Sequence, residues 1–324
     1  MKALALLSGG LDSVLATKLV LDQNIKVIGV HFSLPFSPDS CAEKAAKKLK
    51  IPFIEVKTGM DYLKIIKNPK HGYGAGLNPC IDCRIFVLKK AKNLMKRFKA
   101  KFIITGEVVD QRPMSQHMKA LRTIDREAKL EGLVLRPLSA KLLSETIPEK
   151  KKWVDRKKLL DIRGKSRSSQ LKLAKKFRIR EYKNPAGGCL LTNKEFANKL
   201  NDLLGRSITR DDIELLKIGR HFRAGRSRII VGRNEEENRM LAKKKEKDYI
   251  FEVPDYGSPV TLLKGCKSRK AIITAAKLTA LYSDCNKQTV VVNYGKKLKK
   301  SITVKQMRKK EAARMNLALN QIVL

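Results

Sequence analysis

The sequence predicts an α/β fold, a doubly wound and mostly parallel sheet, followed by a smaller α+β domain. Three features of the 324-residue chain carry that expectation. Strand-like and helix-like apolar patterns alternate over the first hundred residues. A glycine turn, Ser8-Gly9-Gly10-Leu11-Asp12-Ser13, joins the first strand to the first helix. Beyond about residue 206 the rhythm changes to short strands around one helix.

In order, Lys2–Leu7 reads as a strand and Leu11–Asp22 as a helix. Lys26–Phe32 is a second strand, and Cys41–Leu49 a helix with its alanines turned inward. Phe53–Lys57 is a third strand, ended by Thr58-Gly59. Ile85–Phe98 has helical apolar spacing, and Phe102–Thr105 is a fourth strand closed by Gly106. Ligands of such sheets sit at the carboxyl ends of the strands, so the glycine turn, His31, Thr58 and Gly106-Glu107 share one rim. From Arg136 to Asn201 the chain is helical and basic. Gly205 and Ser207-Ile-Thr-Arg-Asp read as a linker with Thr209 as an N-cap, dividing the chain into 1–206 and 207–324. The second part holds strands at Arg228–Gly232, Tyr249–Val253, Pro259–Leu263 and Thr289–Tyr294 around the helix Lys270–Ser283.

Hydrophobic residues make up 43% of the chain, which excludes a disordered protein. Lys and Arg number 71 against 31 Asp and Glu, a formal charge of +40. Such a surface repels itself at low salt and calls for a polyanionic partner, nucleic acid before membrane. No apolar run approaches the ~20 residues of a spanning helix. Gly9, Gly10 and Asp12 interrupt the N-terminal apolar run too early for a signal peptide. The expected location is the cytoplasm, where six scattered cysteines remain thiols or serve metal or catalysis.

A strand, a tight glycine turn and a helix N-terminus form a phosphate cradle. Gly9 and Gly10 let the backbone approach an anion, while Ser8, Ser13 and the free N–H groups from Leu11 onward donate to it. Asp12 supplies a carboxylate for the Mg2+ that accompanies a nucleotide. His31 and Gly106, on the same rim, complete the candidate ATP contacts. The spacing differs from both G-x-x-x-x-G-K-[ST] and G-x-G-x-x-G.

Cys80 and Cys83 stand in Asn-Pro-Cys-Ile-Asp-Cys; Cys189 follows 106 positions later, after Gly187-Gly188. Two thiols from one turn and a third from a glycine loop suit an iron–sulfur cluster with one open corner. A persulfide or redox pair of Cys83 and Cys189 is an alternative. So is zinc with His71 or His117 as fourth ligand. Cys41, Cys266 and Cys285 read as packing residues.

These motifs together, SGGLDS, NPCIDC and a lone cysteine after Gly-Gly, resemble the tRNA-thiolation branch of the PP-loop ATP pyrophosphatases. The resemblance covers residues 1 to about 200. It implies an adenine nucleotide α-hydrolase-like fold and ATP cleavage between the α and β phosphates. It further implies replacement of a uridine carbonyl oxygen by sulfur in tRNA, the sulfur coming from sulfide, a cysteine desulfurase or a sulfur carrier. The 2-thiouridine synthetases usually carry Asp where this chain has Cys80, which moves the chain toward three-cysteine, [4Fe–4S]-dependent members, with Cys80, Cys83 and Cys189 as ligands. Without a cluster, Cys83 or Cys189 would carry a persulfide. Asp110 is a candidate base or magnesium ligand.

Related 4-thiouridine synthetases commonly carry an N-terminal RNA-binding extension. This chain opens at the PP-loop strand, so tRNA docking is expected elsewhere. Ile229–Asn238, Asp248-Tyr-Ile-Phe and the alanine-rich helix ending at Tyr282-Ser283 resemble the RNA-binding domain of NFACT-type proteins. Arg112, Arg163 and Arg167, with Lys296, Lys297, Lys299 and Lys300, are the candidate RNA contacts. Two other functions share parts of this pattern: a PP-loop tRNA ligase or amidator, which has no need of three cysteines, and a non-catalytic RNA-binding protein with ATP as a switch. The modified tRNA position and the oligomeric state are not encoded in any motif.

Overall fold

The computed structural model describes residues 1–37, 40–182, 189–244 and 247–319. Two compact units divide the chain, Met1–Thr192 and Asn193–Leu324. The sequence places the change near residue 206. In the structure Phe196, Ala197, Leu200 and Leu203 are buried residues of a helix in the second unit, which moves the division upstream.

The first unit runs β1 (Lys2–Leu6), α1 (Leu11–Leu21), β2 (Lys26–Ser33), α2 (Ala42–Lys48), β3 (Phe53–Lys57), α3 (Asp61–Lys67), α4 (Cys80–Arg97) and β4 (Phe102–Ile104). It continues through α5 (Met118–Glu127), β5 (Val134–Leu135), α6 (Ile147–Lys150) and α7 (Ser168–Lys176). The sheet order is β3-β2-β1-β4-β5, and every pairing is parallel. Alternation along β1 sends Ala3 and Ala5 to one face, against Leu11, Leu15 and Leu19 of α1. Leu4 faces the other way, against Ile85, Leu88 and Ala91 of α4. Both faces are therefore covered, as the doubly wound expectation requires. The chain leaves β1 toward β2 on one side and returns to β4 on the other, so the crevice for a ligand opens between β1 and β4.

The helix expected from Ile85 begins five residues earlier, at Cys80, with Pro79 as N-cap and Asp82 in the first turn. Pro79 ends the preceding loop, and its fixed φ suits a helix start. Both cysteines of the CxxC thus sit on the first helical turn. Gly187 and Gly188, expected to bring Cys189 close, lie outside the described residues.

The second unit begins with α8 (Lys194–Leu204) and α9 (Arg210–Leu216). Then follow β6 (Arg220–Ala224), β7 (Ser227–Val231), α10 (Glu235–Ala242), β8 (Tyr249–Glu252), β9 (Thr261–Lys264), α11 (Arg269–Leu281), β10 (Thr289–Gly295), β11 (Lys300–Lys305) and α12 (Lys309–Met315). Its sheet, β11-β10-β8-β9-β7-β6, is antiparallel throughout. The alanine face of α11 packs on it through Ala271, Ala275 and Ala276. Thr209 caps α9 as the sequence suggests, accepting from Asp212 N–H at 3.2 Å. Two strands, β6 and β11, and the helices α10 and α12 add to the elements read from sequence. No helix among the described residues is long and apolar enough to cross a membrane.

His221 is fully buried on β6, and its Nε2 donates to the carbonyls of Ile218 at 2.8 Å and Leu215 at 3.0 Å. Burial, then the charges of Lys199 and Arg228, push its pKa well below the usual 6.5. The folded state keeps the ring neutral while the unfolded chain takes up a proton below about pH 6.5. Stability from this group is complete above that pH and is lost as pH falls toward the folded value. Native-state hydrogen exchange at the β7 amides should show a decline approaching about 1.4 kcal/mol per pH unit below pH 6.5. The His221→Asn variant should lack that component. An identical pH slope in the variant would exclude His221 as its source.

Candidate active site

The glycine loop after β1 is held by its serines. Ser13 Oγ donates to the Gly10 carbonyl at 2.8 Å and accepts from Ser8 N–H at 3.3 Å. Gly9 adopts φ +77°, and a Cβ there would lie 2.4 Å from the Cys41 carbonyl carbon. Only glycine fits. Helix α1 starts at Leu11 with no side-chain cap, so its first-turn N–H groups are free to meet an anion. Gly106, at the end of β4, packs directly onto this turn: a Cβ there would stand 2.5 Å from Ser13 N and 2.6 Å from the Asp12 carbonyl carbon.

A cavity of about 570 Å³ opens at this junction. Its wall includes Ser8, Gly10, Leu11, Asp12, Ser13, His31 and Gly106 of the expected ATP set, together with Cys80, Cys83 and Cys189. Asp12 Oδ2 accepts from Gln111 Nε2 at 3.0 Å and faces Arg167 at 3.6 Å. Its Oδ1 is buried with no hydrogen-bond partner among the described residues. An orphaned carboxylate oxygen beside a phosphate cradle fits a hard divalent cation such as Mg2+. His31 Nδ1 lies 3.1 Å from the Leu7 carbonyl, and burial lowers its pKa, so the neutral ring donates from Nδ1.

Cys83 interacts with the hydroxyl of buried Tyr62, and Cys189 Sγ donates to the Phe36 carbonyl at 3.4 Å. Burial pushes all three thiols up, Cys189 to about 12, so as free thiols they stay protonated at neutral pH. Among the described residues no three His, Cys, Asp or Glu side chains gather into a single-ion site. The two histidines considered for zinc are engaged elsewhere. His71 Nε2 meets Glu127 at 3.1 Å, and His117 Nδ1 accepts from Ala120 N–H to cap α5. A cluster places fewer demands on convergence, because each cysteine binds a different iron. Three sulfurs on one cavity wall fit that donor set.

Asp110 does not line the cavity. It takes a left-handed φ of 61°, its N–H donates to the Gln116 carbonyl, and its carboxylate pairs with Arg163 at 2.6 Å. The turn thus presents the carboxylate to Arg163. Arg112 and Arg167, expected to contact RNA, both line the cavity. Lys296, Lys297, Lys299 and Lys300 are exposed at the β10–β11 turn in the second unit.

Sequence reasoning missed Arg84 and the network behind it. Glu107 is buried and accepts from Arg136 Nε at 2.9 Å and Thr105 Oγ1 at 3.0 Å, with Arg84 Nε at 3.1 Å. Burial alone would push its carboxyl up; Arg84 and Arg136 outweigh that and hold it below the usual range. Asp125 grips Arg136 with both oxygens at 2.8 Å. An arginine directly after a CxxC was the available signal.

Against this geometry, residues 1–148 match the family described as thiamine biosynthesis protein (ThiI). That match covers a little under half of the chain. Residues 219–315 match the NFACT protein RNA binding domain. A probable tRNA sulfurtransferase of Alkaliphilus metalliredigens is 32% identical over 143 residues, 43% of this chain and 36% of that protein. One from Thermococcus kodakarensis is 28% identical over 149 residues, 42% of this chain and 36% of that protein. The chain therefore spans about a third of the length of these curated relatives. The structure of a 4-thiouridine synthetase–RNA complex with bound ATP is 18% identical over 67% of this chain and 52% of that one, at a TM-score of 0.36. The glycine loop, Asp12, Gly106 and the CxxC all fall inside the span 1–148 that matches this family; Cys189 falls outside it.

The contact of Gly106 with the α1 turn is open to a direct test. Gly106→Ala should weaken ATP binding by about tenfold or more, since a Cβ at 2.5 Å separates the two loops that form the cradle. Calorimetric titration of the full chain reads this. Unchanged affinity would mean that the loops do not act together on the nucleotide.

Proposed function

We propose that this protein is a cytoplasmic, ATP-dependent tRNA sulfurtransferase that replaces a uridine carbonyl oxygen with sulfur. The observation that carries the reading is one cavity with a phosphate cradle, an orphaned carboxylate oxygen and three cysteine sulfurs on its wall. The similarity to tRNA sulfurtransferases, the match of residues 219–315 to the NFACT RNA binding domain and the +40 charge all support a tRNA substrate. All six cysteines are free thiols, which suits a reducing compartment.

Ser8, Ser13 and the first-turn N–H groups of α1 hold the β and γ phosphates, and Asp12 Oδ1 would hold Mg2+. The fixed α-phosphorus then faces the substrate. The uridine oxygen attacks it, forming an O–P bond as the bond to pyrophosphate breaks. A two-electron sulfur nucleophile adds at the activated carbon, and the carbon–oxygen bond breaks with AMP as leaving group. Neutral His31 adds no charge to the cradle. Cys80, Cys83 and Cys189 would hold a [4Fe–4S] cluster, which supplies sulfur in deprotonated form from an iron without a protein ligand. The exposed lysines at the β10–β11 turn contribute to tRNA affinity.

The test uses full-length protein, reconstituted anaerobically with iron and sulfide, together with ATP, Mg2+, sulfide and unmodified tRNA. Digestion and mass spectrometry of the nucleosides should show a thiouridine only when ATP is present. Cys189→Ala, which removes one of the three sulfurs that would hold the cluster, should reduce it by about a hundredfold or more. An ATP-dependent product without sulfur would replace thiolation with ligation or amidation. No product, with tRNA and ATP both bound, would leave an RNA-binding protein.

A further inference from the structure

Arg84 follows Cys83 on the first turn of α4, and its side chain is about one-third exposed on the cavity wall. Glu107 draws its Nε to 3.1 Å. Both Glu107 oxygens are committed, one to Arg84 and the other to Arg136 and Thr105. Asp125 anchors Arg136 in turn. Arg84 is therefore held from behind by a buried, neutralised network, and its terminal NH2 groups have no other acceptor among the described residues.

Arg112 stands on the same wall and has no ion-pair partner there. Arg84, Arg167 and Asp12 are charged groups close enough to act on it, and Cys80 also lies near it on the cavity lining. The charged residues lining the cavity are thus three arginines and one aspartate, Asp12. Like charges gathered on a partly buried wall repel one another, and a bound anion removes that cost. Guanidinium forks with free N–H pairs match the tetrahedral oxygens of a phosphate.

We propose that Arg84 and Arg112 form a second anion seat, beside the cysteines, that binds the phosphate of AMP, while the glycine loop forms the seat for pyrophosphate. The two seats divide one nucleotide at its α–β bond and leave the α-phosphoryl group next to the sulfur source. Arg84 binds the leaving group, and Glu107 acts through it as a positioning residue. The inference rests on the reading that ATP is cut at that bond, but the seat is defined by binding alone.

Calorimetry on the full chain, purified free of iron and sulfide, tests it with AMP and pyrophosphate as separate probes. Arg84→Gln should weaken AMP binding by about tenfold or more and leave pyrophosphate binding within about twofold, which also reports an intact fold. Arg84→Lys, which keeps the charge and loses the fork, should recover part of the AMP affinity. Ser13→Ala should show the opposite selectivity. Equal loss of both probes in Arg84→Gln, or no loss of either, would overturn the second seat; the latter result would make Arg84 a counter-charge for the cysteine site. Failure of wild-type protein to bind AMP would overturn it too. If the AMP selectivity is found and no thionucleoside forms, the seat stands and only the thiolation reading falls.

Discussion

The approach of Gly106 to the first turn of α1 is the contact on which the site depends. A single methyl group at residue 106 would meet the backbone of Asp12 and Ser13 at 2.5 to 2.6 Å. That approach joins the loop after β1 to the loop after β4, the two strands between which the sheet reverses its winding. It thereby brings a phosphate cradle from the first twenty residues against a segment from residues 105–116. The glycine at 106 is thus a condition for the cavity as well as a strand terminator.

Charge is handled in two layers around that junction. Behind the wall, Glu107, Arg136 and Asp125 form a buried set whose members satisfy one another, so the cost of desolvation is offset by close pairing. In front of it, Arg84 and Arg112 face the cavity with groups left unpaired. The buried layer fixes where the free layer points. Removing Glu107 would release Arg84 from its anchor and leave Arg136 with one partner fewer in the interior, so stability and ligand placement are coupled at this residue.

The parallel sheet and the glycine loop were legible in sequence because their signals are local. Alternating apolar runs mark β1 to β4, and Gly9-Gly10 between a strand and a helix has few other uses. Other elements carried weaker signals. Edge strand β11, Lys-Ser-Ile-Thr-Val-Lys, is flanked by lysines and half polar, and β5 has two residues. Helix α5 is capped by His117, an uncommon capping residue, and α4 begins at a Pro-Cys that reads as loop. Within the site, Cys80, Cys83 and Asp12 could be picked by type and spacing. The placement of Arg84 could not, because it is set by Glu107 23 positions later and by Arg136 beyond that. The pairing of Asp110 was not legible for the same reason: its partner Arg163 lies 53 positions away. Long-range ion pairs leave no periodicity in a sequence.

The account turns on direct attack of the nucleic-acid oxygen on the α-phosphorus in this cavity. The most direct measurement follows that oxygen. tRNA carrying 18O at the target uridine carbonyl is incubated with protein, ATP, Mg2+ and sulfide, and the AMP released is examined by mass spectrometry. The account predicts one 18O in the phosphate of each AMP formed together with a thiouridine. AMP free of 18O would contradict it, and would mean that water, or no acceptor on the RNA, takes the adenylyl group.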